Sequence, residues 1–146
     1  MRAEDQFHVG IVVDDLDGAL AQLGELFGYE WCAPFEGQVP VTLPPDTTEI
    51  RLRFVYSRTE PRVEVIQSIP GTLWVPAAGS GIHHLGYWSD DVARDGAELA
   101  RHGFVAEASG GQWAYHRSPS GPRIELVDRR LQPGLEQMWA TTLTSS

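Results

Sequence analysis

The chain repeats itself. Phe7-His8-Val9-Gly10-Ile11-Val12-Val13-Asp14-Asp15 returns 76 positions later as His83-His84-Leu85-Gly86-Tyr87-Trp88-Ser89-Asp90-Asp91. In that frame His8 matches His84, Gly10 matches Gly86, and Asp14-Asp15 matches Asp90-Asp91. The match runs on through Ala21/Ala97 and Leu23/Leu99 without a gap. A second pair of segments follows in the same order: Pro61-Arg62-Val63-Glu64-Val65-Ile66, then Pro122-Arg123-Ile124-Glu125-Leu126-Val127. Each half opens with a His on an apolar run and closes with a Glu on another. Two matched segments in one order point to a duplicated unit.

The local pattern within each copy is β-α-β-β-β. Phe7 to Val13 is an apolar, β-rich strand. Asp14 or Asp15 is a helix N-cap, and Leu16, Ala19, Leu20, Leu23 and Phe27 then follow helical spacing until Gly28 stops the helix. Strands are expected over Tyr29–Phe35, Glu49–Ser57 and Arg62–Gln67, with a Pro-rich loop over 36–46. Residues 68–81, rich in Pro and Gly, form the linker between repeats at about 6–67 and 82–128. The second copy reads as a strand from Ile82 to Ser89 and a helix from Val92 to His102. Strands follow over Phe104–Ala108, Gln112–Arg117 and Arg123–Val127, with Gly110-Gly111 as a hairpin turn. The tail, 131–146, offers Leu135, Met138 and Trp139 as a short helix to dock on the body or on a second subunit.

The 146 residues suit one domain built of two halves, and 42% hydrophobic with 21% charged residues is a globular composition. A net charge of −9 argues against nucleic-acid binding, which needs a basic footprint. No apolar run reaches membrane-span length, and the N-terminus shows no secretory signal. The single Cys32 cannot form an internal disulfide and reads as a small buried hydrophobe. These features fit a cytoplasmic protein. All 11 basic residues are Arg, so Schiff-base lysine chemistry and Walker-type phosphate binding are excluded.

These motifs together make the chain resemble the vicinal oxygen chelate superfamily, which includes glyoxalase I, methylmalonyl-CoA epimerase, extradiol dioxygenases and bleomycin-resistance proteins. The resemblance covers about residues 6–129 and rests on His8-Val9-Gly10 with Asp14-Asp15, on Val63-Glu64-Val65-Ile66, and on Gly81-Ile82-His83-His84-Leu85-Gly86. It rests also on Ser118-Pro119-Ser120-Gly121 leading into Pro122-Arg123-Ile124-Glu125-Leu126-Val127. The segment from Gly81 to Gly86 looks most like the epimerase branch. The resemblance implies an α+β fold in which two βαβββ modules form a half-barrel cup. It also implies one divalent metal ion held by His8, Glu64, His84 and Glu125, and a homodimer.

Strand alternation agrees with that set. His8 and Gly10 share the face opposite to Val9, Ile11 and Val13, and each Glu stands opposite to apolar neighbours. A carboxylate so placed is costly to bury unless it is paired or metal-bound. Mixed N and O donors suit Zn, Ni, Co, Mn or Fe better than Ca or Mg. His83 is the alternative at the second His position, but it matches Phe7 in the repeat. His102 and His116 read as surface residues or residues behind the ligands. Trp88, Trp113, Tyr115 and Tyr56 are candidates to contact substrate, with Trp31 and Phe54 as further cup lining; Arg53, Arg62 and Arg123 could clamp an anionic group.

The activity this implies is that of an isomerase, epimerase or lyase. A carboxylate, Glu125 or Glu64, removes a proton next to the metal-chelated carbonyl of a small molecule or acyl thioester. Two alternatives stand beside it. One is an extradiol-type dioxygenase with Fe(II) on His8, His84 and Glu125, against which a carboxylate at Glu64 counts. The other is a drug-sequestering protein that does no chemistry.

Overall fold

The computed structural model describes residues 1–79 and 81–141. The elements run β1 (Gln6–Val13), α1 (Leu16–Phe27), β2 (Phe35–Leu43), β3 (Asp46–Tyr56), β4 (Val63–Gln67), β5 (His84–Ser89), α2 (Val92–Arg101), β6 (Val105–Ser109), β7 (Trp113–Arg117), β8 (Arg123–Asp128) and α3 (Gln132–Ala140). The eight strands close into a barrel in the order β1-β4-β3-β2-β6-β7-β8-β5. Each half contributes four strands in the same relative order, so the barrel is two half-barrels joined twice. One seam pairs β1 with β5 over several residues. The other joins β2 to β6 at one residue pair, Thr42 with Ser109.

Helix starts follow the sequence closely. Asp15 caps α1 by accepting from the Gly18 N–H at 3.0 Å, and Asp91 caps α2 by accepting from the Arg94 N–H at 3.0 Å. Gly28 ends α1 with φ 74°, a left-handed conformation in which glycine carries no Cβ penalty. Outside the barrel, Leu16 and Leu20 of α1 bury against Val55 and Val65, with Ile11 and Val13 packed beside them. Complete burial of each such aliphatic side chain is worth about 1.5–3 kcal/mol. Inside, Val12, Ile66, Leu52 and Tyr115 belong to a second apolar cluster. The alternation of β1 thus separates the helix-facing side from the barrel interior. Among the described residues no helix is long and apolar enough to cross a membrane.

One strand lies elsewhere than expected. The sequence places β2 at Tyr29–Phe35 with a loop after it; the strand is instead Phe35–Leu43, inside that supposed loop. Gly37 and Pro40 read as breakers, yet Phe35, Gly37, Val39, Val41 and Leu43 alternate with more exposed neighbours and pair along β3. Pro40 is tolerated because β2 has almost no partner on its other side. Tyr29 and Trp31, ahead of the strand, pack elsewhere. Trp31 joins the cluster under α1 rather than lining the cup, and its indole N–H donates to the Leu20 carbonyl at 3.0 Å. The linker also does more than connect, since its Trp74 is buried in the interior cluster.

Candidate metal centre

The strand registers put four side chains at one place. In β1 and β4, Gly10 lies beside Glu64; in β5 and β8, Gly86 lies beside Glu125. Across the β1–β5 seam, His8 pairs with Gly86 and Gly10 with His84. Each imidazole therefore lies over the other strand's glycine. A Cβ on Gly10 would overlap the His84 ring, and one on Gly86 would overlap the His8 ring. The glycines are what allow both rings to lie inside. His8 Nε2 and His84 Nε2 come within 3.0 Å of each other. Glu125 Oε2 stands 3.0 Å from His84 Nε2 and 3.3 Å from His8 Nε2, and Glu64 Oε1 is 3.5 Å from His84 Nε2. One donor atom from each of the four residues fits within 4.8 Å of the others. All four residues are buried.

Two carboxylates buried this deeply need positive charge nearby. Burial by itself lowers the His84 pKa, but Glu125 and Glu64 outweigh it and raise it to about 9. Burial raises Glu125, and the imidazoles of His8 and His84 reverse this to hold it low. Glu125 Oε2 nevertheless has no well-directed hydrogen bond, and neither has His8 Nδ1. A proton on His84 thus stands where a cation would satisfy both carboxylates and both Nε2 atoms at once. Two imidazole nitrogens and two carboxylates around one point fit a divalent transition ion.

Behind His84 lies a hydrogen-bonded relay. His83 Nε2 is 2.7 Å from the Leu73 carbonyl, and His83 Nδ1 is 3.0 Å from His84 Nδ1. A carbonyl only accepts, so the His83 proton sits on Nε2. Burial lowers its pKa to about 4, partly opposed by that hydrogen bond, so the ring is neutral. His83 Nδ1 must then accept from His84 Nδ1–H, which leaves His84 Nε2 free to face the centre.

The two Glu border a cavity of about 130 Å³. Tyr56, Tyr115, Trp113 and Phe54, all named from sequence, line it. Tyr56 hydrogen-bonds Glu64 and Tyr115 hydrogen-bonds Glu125; burial, then the carboxylates, raise both phenol pKa values well above normal. Trp88 is in a neighbouring, more polar pocket, stacked on Phe7 with ring centroids 3.8 Å apart. None of the three candidate arginines lines the cavity, and Arg62 lies over Trp139 in the neighbouring pocket. Arg53 lies on the outer face, paired with Asp17 of α1 at 2.7 Å, because it alternates with Leu52 and Phe54. Arg123 pairs with Glu107 on β6. His116 is buried beside Gly96 of α2, and His102 is exposed beside Glu98.

Among the wall residues that sequence does not single out as cup lining are Trp74, Leu131 and Leu135. Nothing local marks Trp74 within the Pro/Gly linker. The other two had a signal, since Leu131, Leu135 and Trp139 recur every four residues and so share a helix face. That face meets the barrel of its own chain: Trp139 lies 5.7 Å from Tyr56, with the Arg62 guanidinium 3.9 Å above its ring.

No protein among the curated sequences matches the chain. Solved structures do match in fold. A hypothetical protein from Bacillus halodurans C-125 is 17% identical, with 84% of this chain and 92% of that one covered and a TM-score of 0.57. A Streptomyces coelicolor methylmalonyl-CoA epimerase variant in complex with 2-nitronate-propionyl-CoA is 18% identical, covering 85% and 96%, with a TM-score of 0.57. The Mycobacterium tuberculosis methylmalonyl-CoA epimerase is 20% identical, covering 85% and 87%, with a TM-score of 0.51. Identities this low establish the shared fold alone. The family's sequence pattern matches residues 7–118, a span that holds His8, Glu64 and His84 and ends before Glu125. By that match the chain belongs to the Glyoxalase/Bleomycin resistance protein/Dioxygenase superfamily, the vicinal oxygen chelate group.

Proposed function

We propose that the chain is a metal-dependent enzyme of this superfamily, an isomerase, epimerase or lyase that moves a proton next to a carbonyl of a small molecule or acyl thioester. The observation that carries this reading is the convergence of His8, Glu64, His84 and Glu125 within 4.8 Å beside a cavity. A divalent ion on these residues supplies a Lewis acid for substrate oxygens. The metal is one of Zn, Ni, Co, Mn or Fe.

The chain's own groups narrow the choice of base. Both Nε2 atoms point at the centre and would spend their lone pairs there. Lysine is absent, and Cys32 is buried with its thiol against the Trp139 carbonyl. Glu125 and Glu64 remain, each able to accept a proton within hydrogen-bond reach of a molecule in the cavity. Glu125 is favoured, since the family resemblance carries a working Glu to that position. The reading takes residues 1–146 as one domain of two repeats, and as a homodimer measurable by light scattering at micromolar concentration.

The test has two parts. Protein purified without chelator should contain one divalent ion per chain by elemental analysis, and His8→Ala and His84→Ala should each lose it. In deuterated water the metal-loaded protein should exchange a carbon-bound proton in a panel of 2-oxo aldehyde hemithioacetals and 2-substituted acyl thioesters. Glu125→Gln should keep the metal and lose that exchange; exchange at the parent rate would transfer the role to Glu64. Bound iron with oxygen uptake on catechols would replace this reading with ring cleavage. A metal-free protein that binds an aromatic drug tightly would replace it with sequestration.

A further inference from the structure

We infer that the cavity takes an uncharged molecule built on one six-membered ring, presenting an oxygen pair to the centre that Glu64 and Glu125 help to form, and does not take an acyl-CoA or another anionic thiol conjugate. This rests on the metal-centre reading above and narrows its substrate class.

Three observations carry it. The first is size. The cavity measures about 130 Å³, and an apolar cavity of about 150 Å³ holds one benzene. The second is the wall. Leu52, Phe54, Trp74, Trp113, Leu131 and Leu135 line the space, beside Glu64, Glu125 and the two tyrosines. Such a wall rewards apolar area and offers nothing to a polar tail.

The third is charge. Among the described residues no arginine lines the cavity. Arg53 is taken by Asp17, Arg123 by Glu107, and Arg62 lies over Trp139. At the polar end, two carboxylates already balance a divalent ion, so the filled centre keeps no surplus positive charge for an anion. A carboxylate or phosphate entering here would lose its hydration and meet two carboxylates, with no arginine among the described wall residues to offset them.

The leucines of the C-terminal segment give the test a handle. Leu135 is a wall residue on α3 and holds no part of the metal set. Equilibrium binding to the metal-loaded protein can be followed by calorimetry and by the fluorescence of the wall tryptophans. The probes are 2-hydroxyacetophenone, the anion mandelate of similar size, methylmalonyl-CoA, and the glutathione hemithioacetal of methylglyoxal. The neutral ketone should bind at least about tenfold more tightly than any of the anions, the discrimination expected when a charge is buried unpaired. Leu135→Trp should weaken ketone binding by a further factor of about ten or more by filling the space, with metal stoichiometry unchanged. Should that variant misfold, Trp113→Ala serves instead, and should shift preference from the phenyl ketone to its naphthyl homologue. Tighter binding of mandelate or either thiol conjugate, or no binding of the ketone, overturns the inference. Ketone binding without proton exchange would leave it standing and sink the proposed reaction instead.

Discussion

Gly10 and Gly86 each lie under an imidazole from the strand across the seam, and neither has room for a methyl group. Gly86→Ala should therefore push His8 off the centre and leave the fold largely in place, because the clash falls on one ring and not on backbone. Elemental analysis should find the metal lost or substoichiometric while circular dichroism stays near the parent; full occupancy would mean His8 is not a ligand. His83 poses a subtler question, since it touches the centre only through His84. Removing the group that receives a ligand's second N–H typically costs about 10–100-fold in metal affinity. His83→Ala should weaken metal binding by that order in competition with a chromogenic chelator, and His83→Gln, which keeps an acceptor, should lose less. An affinity unchanged in both would show that the Nδ1–Nδ1 contact does not orient His84. The sequence made the four central residues readable because each occurs twice at matched positions. The relay was not readable. It depends on Leu73, whose carbonyl carries no side-chain signal and whose position is set only by how the linker folds back.

Among the elements, α3 is the one whose role depends on what it packs against. Its Leu135 lines the cavity, while its Trp139 meets Phe7 at 6.0 Å, Tyr56 at 5.7 Å and Trp88 at 6.4 Å. Leu135 and Trp139, which the sequence offered to the body or to a second subunit, pack on their own barrel. A nine-residue helix is too short to hold itself together in water, so its order comes from that packing. Trp139→Ala should therefore loosen α3 before anything else. In hydrogen–deuterium exchange, the peptide spanning 132–140 should lose protection while β1 and β5 keep theirs. Uniform loss across the barrel would instead make Trp139 part of the global core. Element positions were legible wherever caps and periodicity agreed, as at Asp15, Gly28 and Asp91. They failed at β2, where Gly37 and Pro40 outweighed a regular alternation. A single sequence does not reveal that Pro40 faces an almost unpaired edge, and so it cannot tell a strand proline from a loop proline there.

For the molecule as a whole, the centre lies on the joint between two half-barrels. Each half supplies one His and one Glu, and the seam between β1 and β5 runs through the site. The opposite seam has a single residue pair. The duplication made this symmetry readable in advance, but it left the interior filling open, which is set by the linker's Trp74 and by α3. A bound ion would tie the halves together where the sheet is continuous and relieve the charge conflict between Glu64 and Glu125. Because the unfolded chain has no such site, binding stabilises by mass action, about 2.7 kcal/mol when free metal is at 100 times its Kd. For a chain of this size, each kcal/mol moves the melting temperature by about 2–4 °C. Chelation should therefore lower Tm by roughly 5–10 °C, reversibly on adding the metal back. His84→Ala should melt at the same temperature with and without metal, which separates a specific centre from loose binding at the acidic surface. A metal-dependent Tm that survives in His84→Ala would place the ion elsewhere on the molecule.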